Sequence, residues 1–330
     1  MQKFLIIQTA FIGDVVLATC IVEKLHRFFP DAQIDILLRK GNESLFIDHP
    51  FLHKVLKWDK KKNKQRNLWK LAAQIRETKY DKVINVQRFA ATGLLTVLSG
   101  AKEKIGFDKN PFSALFTKRI KHIVGVGGRV LHEVERDLQL INFFTDNTIV
   151  KPKLYPTQKD YARVAVYQQQ KYITIAPASV WFTKQYPKEK WISFLQKLPR
   201  EYAVFLLGAP SDKLICDEII SSSWRDGVIN LCGQLTFLQS AGLMEKAAMN
   251  YVNDSAPMHF ASAVNAPVTA VYCSTIPAFG FGPLSDKKFI VELKEPLVCR
   301  PCGLHGYSAC PKGHFNCAWQ IEDEQLLLTL

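Results

Sequence analysis

Apolar runs of strand length alternate with helix-like segments along the first half of the chain. Strand-like runs occupy residues 4–8 (FLIIQ), 33–38 (QIDILL) and 82–87 (KVINVQ). Between them, residues 15–29 have a helical pattern, and a basic helical stretch reaches Lys79. This order of strand, helix and strand predicts a parallel β-sheet that helices cover on both faces.

A second series of the same kind follows a linker. Pro152 and Pro156 lie in the linker-like stretch VKPKLYPTQ. Beyond it, helices that begin near Pro187 and Asp212 alternate with strand-like runs at residues 172–177, 202–208, 228–233, 250–254 and 268–273. We therefore predict an α/β fold with two Rossmann-like doubly wound domains, residues 1–152 and 153–330. Because ligands of such sheets bind outside the carboxyl ends of the strands, the loops there should face a shared cleft.

The composition is that of a globular protein with a basic surface. The 330 residues are 48% hydrophobic, which is enough for a core in each domain. The chain has 43 Lys and Arg residues against 30 Asp and Glu residues, and the net charge of +13 favours acidic partners. Residues 57–70 (KWDKKKNKQRNLWK) are strongly basic, with Asp59 as their only acid and with Trp58 and Trp69 near their ends. Such a segment is either a solvated helix or loop, or a surface that touches an interface.

The pattern predicts neither a signal peptide nor a membrane span. The chain begins with a strand-like run and has no cationic region followed by a long apolar core, so we expect a cytosolic protein. Residues 255–285 form the longest stretch without charge, but Pro257, Pro267, Pro277 and Pro283 interrupt it. This stretch therefore reads as helix, strand and loop of a buried α/β core.

The glycine motifs of common nucleotide sites are missing. No predicted strand is followed by G-x-G-x-x-G, and the stretch GVGGRV at residues 125–130 lacks the third glycine. The chain also has no Walker A lysine motif. These observations argue against a nicotinamide or flavin dinucleotide and against a P-loop nucleotide site.

One loop in the second half opens a helix in a sequence suited to phosphate. In NDSAPMHFASA (residues 253–263), the helix would begin near Ser255, where free backbone N–H groups and the positive end of the helix dipole can hold an anion. A simple helix cap by Asp254 or Ser255 would explain the same residues. His259 lies one turn further along and is not explained by capping.

Two more loops at the same predicted sheet edge carry polar groups. The stretch ASVWFTKQYP (residues 178–187) contains Ser179, Thr183 and Lys184, whose hydroxyl and ammonium groups suit a diphosphate. The stretch GAPSD (residues 208–212) ends in Asp212, at a point where Rossmann-like domains often bind ribose hydroxyls. Asp212 is equally suited to the start of a helix.

Five motifs occur in an order and at spacings that point to one family. They are TAFIGDVVLAT, ASVWFTKQYP, GAPSD, NLCGQLTFLQ and NDSAPMHFASAVNAPVTAVY. Together they resemble the lipopolysaccharide heptosyltransferases of glycosyltransferase family 9, and the resemblance spans nearly the whole chain. It implies a GT-B architecture, with an N-terminal acceptor domain, a C-terminal nucleotide-sugar domain and an active site in the cleft between them.

The resemblance also implies roles for individual residues. Asp14, after the N-terminal glycine, would be the general base of an inverting transfer of heptose from ADP-heptose to the inner core of lipopolysaccharide, a reaction that requires no cofactor. The alternative for Asp14 is a cap of the first helix. The D-[ST]-G-x-x-H motif of the family matches here except that Ala256 replaces its glycine. Donor-binding positions by the same resemblance are Ser179, Lys184, Asp212, Leu235 (through its backbone), Asp254, Ser255, Ala256 and His259.

Acceptor binding is assigned to cations of the first half. His132 and Arg136 match an H-x-x-E-R pattern of the family and would share a helix face, although a Glu133–Arg136 surface pair is an equal alternative. The basic segment would contribute Lys60, Lys61, Lys62, Lys64 and Arg66. These cations suit an acidic, lipid-linked acceptor at an anionic membrane surface, where each adds about 1 kcal/mol of attraction. We therefore expect peripheral association with the cytoplasmic face of the bacterial inner membrane.

Two other functions are compatible with parts of the pattern. A family member with a different nucleotide sugar or acceptor would keep the same fold. A basic nucleic-acid-binding protein would fit the charge, and its affinity would fall steeply with salt. The chain has no RRM, zinc-finger or helix-turn-helix pattern, so no nucleic-acid partner is expected.

A cysteine-rich stretch lies near the C-terminus. Cys299, Cys302, Cys310 and Cys317 begin with a C-x2-C pair, and His305 and His314 lie between them. In a cytosolic chain this spacing suggests a structural zinc or iron site, while free thiols in a loop are the alternative.

Overall fold

The structure is a computed structural model that describes residues 1–124 and 130–330. The chain divides into two compact units, Met1–Tyr155 and Pro156–Leu330. All of the GVGGRV stretch except its last residue, Val130, lies outside the described residues.

The first unit is built on a parallel sheet whose described strands run in the order β3-β2-β1-β4-β5-β6. The strands are β1 (Lys3–Ile7), β2 (Gln33–Arg39), β3 (Lys54–Trp58), β4 (Lys82–Asn85), β5 (Glu103–Phe107) and β6 (Lys118–Ile120). The helices are α1 (Ile12–Leu17), α2 (Thr19–Phe28), α3 (Lys64–Thr78), α4 (Ala90–Leu98) and α5 (Glu133–Gln139). In the register of the central strands, Ile6 of β1 lies opposite Ile36 of β2 and Ile84 of β4.

The hydrophobic pattern explains the central strand of this sheet. Phe4, Leu5, Ile6 and Ile7 are all fully buried, because strands pair with β1 on both sides and helices cover the sheet. Such a strand needs a continuous apolar run rather than an alternating one. The predicted strand and the predicted parallel sheet are confirmed.

The second unit repeats the same architecture. Its described strands are β7 (Tyr172–Ala176), β8 (Ala203–Leu206), β9 (Val228–Asn230), β10 (Asn250–Asn253), β11 (Val268–Tyr272) and β12 (Lys288–Glu292). The helices are α6 (Gln158–Val164), α7 (Lys188–Lys197), α8 (Lys213–Ser223), α9 (Phe237–Glu245), α10 (Ala256–Ala263), α11 (Asn316–Trp319) and α12 (Asp323–Leu327). The parallel strands lie in the order β12-β11-β10-β7-β8-β9.

Both sheets have the strand order of a Rossmann fold. Counted from its own first strand, each runs 3-2-1-4-5-6 across the sheet. The predicted α/β class with two Rossmann-like doubly wound units, the pair of folds found in GT-B proteins, is therefore confirmed. In each unit the strand order reverses at the first strand, which lies between β2 and β4 in one sheet and between β8 and β10 in the other.

The reversal of strand order fixes where a ligand site is expected. Loops leave β7 and β10 towards opposite parts of the sheet, which opens a crevice at the carboxyl ends of these two neighbouring strands. In the second unit, this crevice is bordered by residues 177–187 and by the start of α10.

In the ranges that the structure describes, no helix combines the length and the apolar character required to span a membrane.

Candidate active site

Lys184 and Asp254 meet at the strand-order reversal of the second unit. The Lys184 Nζ atom lies 2.6 Å from Asp254 Oδ2, and the two side chains are only 15% and 9% exposed. The Thr275 hydroxyl also donates to Asp254 Oδ2, at 2.7 Å. Lys184 comes from the loop after β7, and Asp254 directly follows β10. The structure therefore brings together two predicted donor-binding residues that are 70 positions apart.

Asn253 bonds to the backbone at both ends of the loop that carries Lys184. Its Nδ2 donates to the carbonyl of Pro177 at 2.8 Å, and its Oδ1 accepts from the backbone N–H of Tyr186 at 2.9 Å. Asn253 is fully buried. The last residue of β10 thus fixes both ends of the loop that carries Lys184.

The start of α10 lies beside this ion pair. Ser255 occupies the N-cap position with an extended backbone, but its side chain makes no capping hydrogen bond. Its hydroxyl instead donates to the Asn253 carbonyl at 3.4 Å. Ser255 therefore occupies the cap position without a side-chain cap, and the Asp254 carboxylate pairs with Lys184. Ala256 is the first helical residue, and His259 is buried on the next turn.

Asp212 closes a tight turn after β8. Its Oδ2 accepts from the backbone N–H of Ala209 at 2.8 Å, and it lies in the N-cap position of α8. The neighbouring loop, which contains Leu235, approaches this turn closely. The Gly233 N–H donates to the Gly208 carbonyl at 3.0 Å. Asp212 and Leu235 therefore lie on adjoining loops at the carboxyl ends of β8 and β9.

Ser179 and Thr183 have different surroundings, although both lie in the loop after β7. The Ser179 carbonyl accepts from Gln185 Nε2 at 2.6 Å, and the residue is partly exposed. Thr183 is only 1% exposed, and its hydroxyl oxygen accepts from the Tyr307 N–H and the Ser274 hydroxyl. The expectation that the Thr183 hydroxyl holds a diphosphate is therefore not supported, because that hydroxyl is turned into the protein.

Asp14 lies in the first turn of α1, directly after β1. The helix begins at Ile12 with Phe11 as its N-cap residue, so Asp14 is the third helical residue and the capping alternative is wrong. A carboxylate in the first turn is favoured by the positive end of the helix dipole. This position places the acid at the carboxyl end of the central strand of the first unit, at its own strand-order reversal.

Asp137 is a buried acid that sequence reasoning missed. It is fully buried, and neither of its carboxylate oxygens has a hydrogen-bond partner within the described residues. Burial first, and then the charges of Glu133 and Asp14, raise the pKa of Asp137 well above its usual range. The sequence gives no signal of this burial, because an acid next to a leucine is common on an amphipathic helix.

Arg136 is buried, which the sequence did not predict. It is 1% exposed, with Nε and Nη2 at 2.6 Å and 2.5 Å from Glu133 Oε2 and with Nη1 donating to the Leu131 carbonyl. The Glu133–Arg136 pair thus exists, but inside the protein rather than at the surface. His132 lies one turn before Arg136, whose backbone N–H donates to the His132 carbonyl at 3.0 Å. His132 is the N-cap residue of α5, and its Nδ1 accepts from the Val134 N–H at 3.1 Å.

The basic segment contains two kinds of cation. Lys61, Lys62, Lys64 and Arg66 are exposed on the turn before α3 and on its first turn. Lys60 instead donates to the carbonyl and hydroxyl oxygens of Thr9, at 2.8 and 3.0 Å. Burial first, then Arg39 and Lys64, lower its pKa to about 8.

The two tryptophans of the basic segment differ in burial. Trp69 is 59% exposed, as an interface residue would be. Trp58 is 1% exposed, and its ring lies 4.8 Å from the Lys60 ammonium, so Trp58 is not part of an exposed interface surface.

The cysteine-rich stretch does not form the expected metal site. Cys299 Sγ is 3.8 Å from His314 Nε2, while the Cys302 thiol donates to the Cys299 carbonyl. Cys317 is 4% exposed and packs in the core, with Cys310 partly buried against the same core. Within residues 1–124 and 130–330, no three His, Cys, Asp or Glu side chains are arranged to hold a metal ion. The geometry does not support zinc or iron here.

Comparison with known proteins agrees with this fold. The profile of glycosyltransferase family 9 (heptosyltransferase) matches residues 68–304. Lipopolysaccharide heptosyltransferase 3 of Escherichia coli is 29% identical over 284 residues, which cover 80% of this chain and 82% of the relative.

Two solved structures share the fold of both units. The structure of E. coli ADP-heptose LPS heptosyltransferase II covers 100% of this chain and 97% of its own, with a TM-score of 0.80 and 19% identity. E. coli heptosyltransferase WaaC with ADP-2-deoxy-2-fluoro heptose covers 98% of both chains, with a TM-score of 0.71 and 17% identity. The family profile spans well over half of the chain. The chain therefore belongs to glycosyltransferase family 9, the heptosyltransferases of lipopolysaccharide biosynthesis, and is a glycosyltransferase.

Proposed function

We propose that the chain transfers heptose from ADP-heptose to the inner core of lipopolysaccharide, with inversion at the anomeric carbon. The observation that carries the proposal is the Lys184–Asp254 pair beside the start of α10, at the strand-order reversal of the second unit. A cation and a helix N-terminus at this point are suited to a diphosphate. The family and the ADP-sugar bound to a protein of similar fold support the choice of donor.

In the proposed donor complex, each predicted residue binds one part of ADP-heptose. The Lys184 ammonium, the start of α10 at Ser255 and Ala256, and His259 on the next turn hold the diphosphate, and Ser179 contributes a further hydroxyl. Asp212 binds the ribose, and the Leu235 backbone binds the adenine. The adjoining turns after β8 and β9 support the last two roles, because one nucleoside can contact both.

The proposed reaction is a single displacement. An acceptor hydroxyl attacks the anomeric carbon of heptose while the Asp14 carboxylate takes the proton of that hydroxyl. The bond between the anomeric carbon and the diphosphate oxygen breaks, and ADP leaves with the electron pair. Lys184 and the backbone N–H groups stabilise the charge that develops on the leaving diphosphate. Attack opposite to the leaving group inverts the anomeric carbon, and no cofactor takes part.

The acceptor is proposed to be a lipid-linked acidic oligosaccharide at the cytoplasmic face of the inner membrane. The exposed cations Lys61, Lys62, Lys64 and Arg66, beside the exposed Trp69, support attraction to an anionic surface. His132, Arg136 and Lys60 complete the proposed acceptor set. Because Arg136 bonds to Glu133 and Lys60 bonds to Thr9, we propose that these two cations act by holding their neighbouring loops in place.

Calorimetric titration with ADP, UDP and GDP tests the donor assignment. We expect ADP to bind most tightly and Lys184→Ala to weaken ADP binding by about 10- to 100-fold, the usual effect of losing a charge-assisted hydrogen bond. Lys171→Ala is the matched control, because Lys171 precedes β7 and its charge lies at the opposite end of that strand. Tighter binding of UDP or GDP would indicate another nucleotide sugar, and absence of nucleotide binding by folded protein would refute the proposal.

A further inference from the structure

The loop that carries Lys184 is bonded to part of the cysteine-rich stretch. Residues 300–307 form this part, which we name the 300–307 segment. The Thr183 N–H donates to the Tyr307 carbonyl at 3.1 Å, and the Tyr307 N–H donates to the Thr183 hydroxyl oxygen at 2.8 Å. The two bonds pair the residue next to Lys184 with the end of the 300–307 segment.

Ser274 connects both partners to the end of β11. Its N–H donates to the Thr183 carbonyl at 3.2 Å, its hydroxyl donates to the Thr183 hydroxyl at 3.0 Å, and its carbonyl accepts from the Cys302 N–H at 2.8 Å. Thr183 is 1% and Ser274 0% exposed. The hydroxyl, the N–H and the carbonyl of Thr183 therefore all form hydrogen bonds within the protein. These bonds restrain the loop that carries Lys184.

Gly306 allows the 300–307 segment to approach Lys184. It is buried with a φ of +77°, and a Cβ atom there would lie 2.9 Å from Thr183 Oγ1 and 3.0 Å from Lys184 Cγ. Both the backbone conformation and the space favour glycine. The aliphatic stem of Lys184 is thus packed directly against this glycine.

Arg300 anchors the other end of the segment. Its guanidinium donates to the carbonyls of Cys273 and Thr275, at 2.7 and 2.8 Å, and to Glu292 Oε2 at 2.6 Å. The Thr275 hydroxyl in turn donates to Asp254. The segment is therefore connected to both members of the Lys184–Asp254 pair.

We propose that the 300–307 segment positions Lys184 for the donor diphosphate, with Gly306 and Thr183 as positioning residues. The inference rests on the proposed function, because it takes the Lys184 ammonium as the diphosphate ligand. It gives this part of the cysteine-rich stretch a role that needs no metal. The segment acts through its backbone and its glycine, by packing against the Lys184 stem and bonding to Thr183.

Gly306→Ala tests the packing against Lys184. The added methyl group pushes Lys184 out of place, and we expect ADP affinity to fall about tenfold, as for a weakened charge-assisted hydrogen bond. Gly313→Ala is the matched control: Gly313 has a φ of +73° and no neighbouring atom within 4 Å of the added Cβ. It brings the same backbone strain without the displacement, so its ADP affinity should equal that of the wild type.

Thr183 provides a second, independent variant pair. Thr183→Val keeps the shape but loses the oxygen that accepts from Tyr307 and Ser274, so ADP affinity should fall as in Gly306→Ala. Thr183→Ser keeps that oxygen and should restore wild-type affinity. This pair keeps the proposal testable if Gly306→Ala does not fold.

A double-mutant cycle separates positioning from a general structural effect. In a Lys184→Ala background, Gly306→Ala should cause no further loss of ADP affinity, because its target is gone. An equal loss in both backgrounds would overturn the proposal, as would equal losses in the Gly306→Ala and Gly313→Ala variants. If Lys184→Ala weakens ADP binding but Gly306→Ala and Thr183→Val do not, the positioning role alone is refuted. If Lys184→Ala has no effect, the proposed donor site itself is refuted.

Discussion

Asp254→Asn should destabilise the second unit by leaving Lys184 without a counter-ion. The substitution keeps the volume of the side chain and an oxygen that can accept from the Thr275 hydroxyl, but it removes the negative charge. Breaking a fully buried ion pair costs about 3–5 kcal/mol. Because the Lys184 side chain is 15% exposed, water recovers part of this loss, and we expect a decrease of about 2 kcal/mol in the free energy of unfolding.

The expected decrease in the free energy of unfolding can be measured by thermal or urea unfolding. For a unit of this size, 2 kcal/mol corresponds to a fall of about 4–8 °C in Tm. Asp226→Asn makes the same chemical change at an exposed position of the same unit and should leave Tm unchanged. Removing the lone ammonium as well, in Asp254→Asn with Lys184→Met, should recover part of the stability. An unchanged Tm in Asp254→Asn would refute the reasoning that Lys184 and Asp254 form a desolvated ion pair that stabilises the unit.

Two further predictions concern stability. Asn253→Ala leaves the buried Tyr186 N–H and Pro177 carbonyl without their hydrogen-bond partner. It should lower the free energy of unfolding, measured by urea titration, by about 2–4 kcal/mol. A loss below about 1 kcal/mol would contradict the role of Asn253 in holding this loop. For His49, burial and then the charge of His26 lower the pKa to about 4. In the unfolded chain His49 binds a proton near pH 6.5, whereas in the folded chain it does so only near pH 4. The free energy of unfolding therefore falls as the pH drops from about 6.5 to 4. His49→Phe should remove up to about 3 kcal/mol of that pH dependence, and an equal slope in both proteins would contradict the argument.

The strand and helix pattern predicted most of the fold because buried parallel strands need continuous apolar runs. Strand β3 shows where this reasoning fails. Sequence analysis assigned residues up to Lys79 to a basic helical stretch, whereas Lys54–Trp58 form a strand at the edge of the sheet. In KVLKW only Leu56 and Trp58 are buried, and lysines occupy exposed positions. A short, half-exposed edge strand therefore has no apolar run to reveal it.

The site could be predicted only to the level of its loops. Polar residues after several parallel strands must share one edge of the sheet, so grouping Lys184, Asp212 and Asp254 needed no coordinates. The pairing of Lys184 with Asp254 depends on β10 lying next to β7, and strand order is not visible in the sequence. The sequence also does not show which way a hydroxyl group points. Thr183 was expected to face the diphosphate, but its hydroxyl bonds to Ser274 inside the protein.

The central claim is that Asp14 is the general base of heptose transfer. The most direct test is the initial rate of transfer from ADP-heptose to a lipid-linked inner-core acceptor, in wild type and in Asp14→Asn, with ADP affinity measured on the same preparations. The substitution removes the proton acceptor and keeps the side-chain shape, so kcat should fall by about 10²–10⁴-fold while ADP affinity is unchanged. A variant that retains the wild-type rate, with folding and ADP binding intact, would contradict the account.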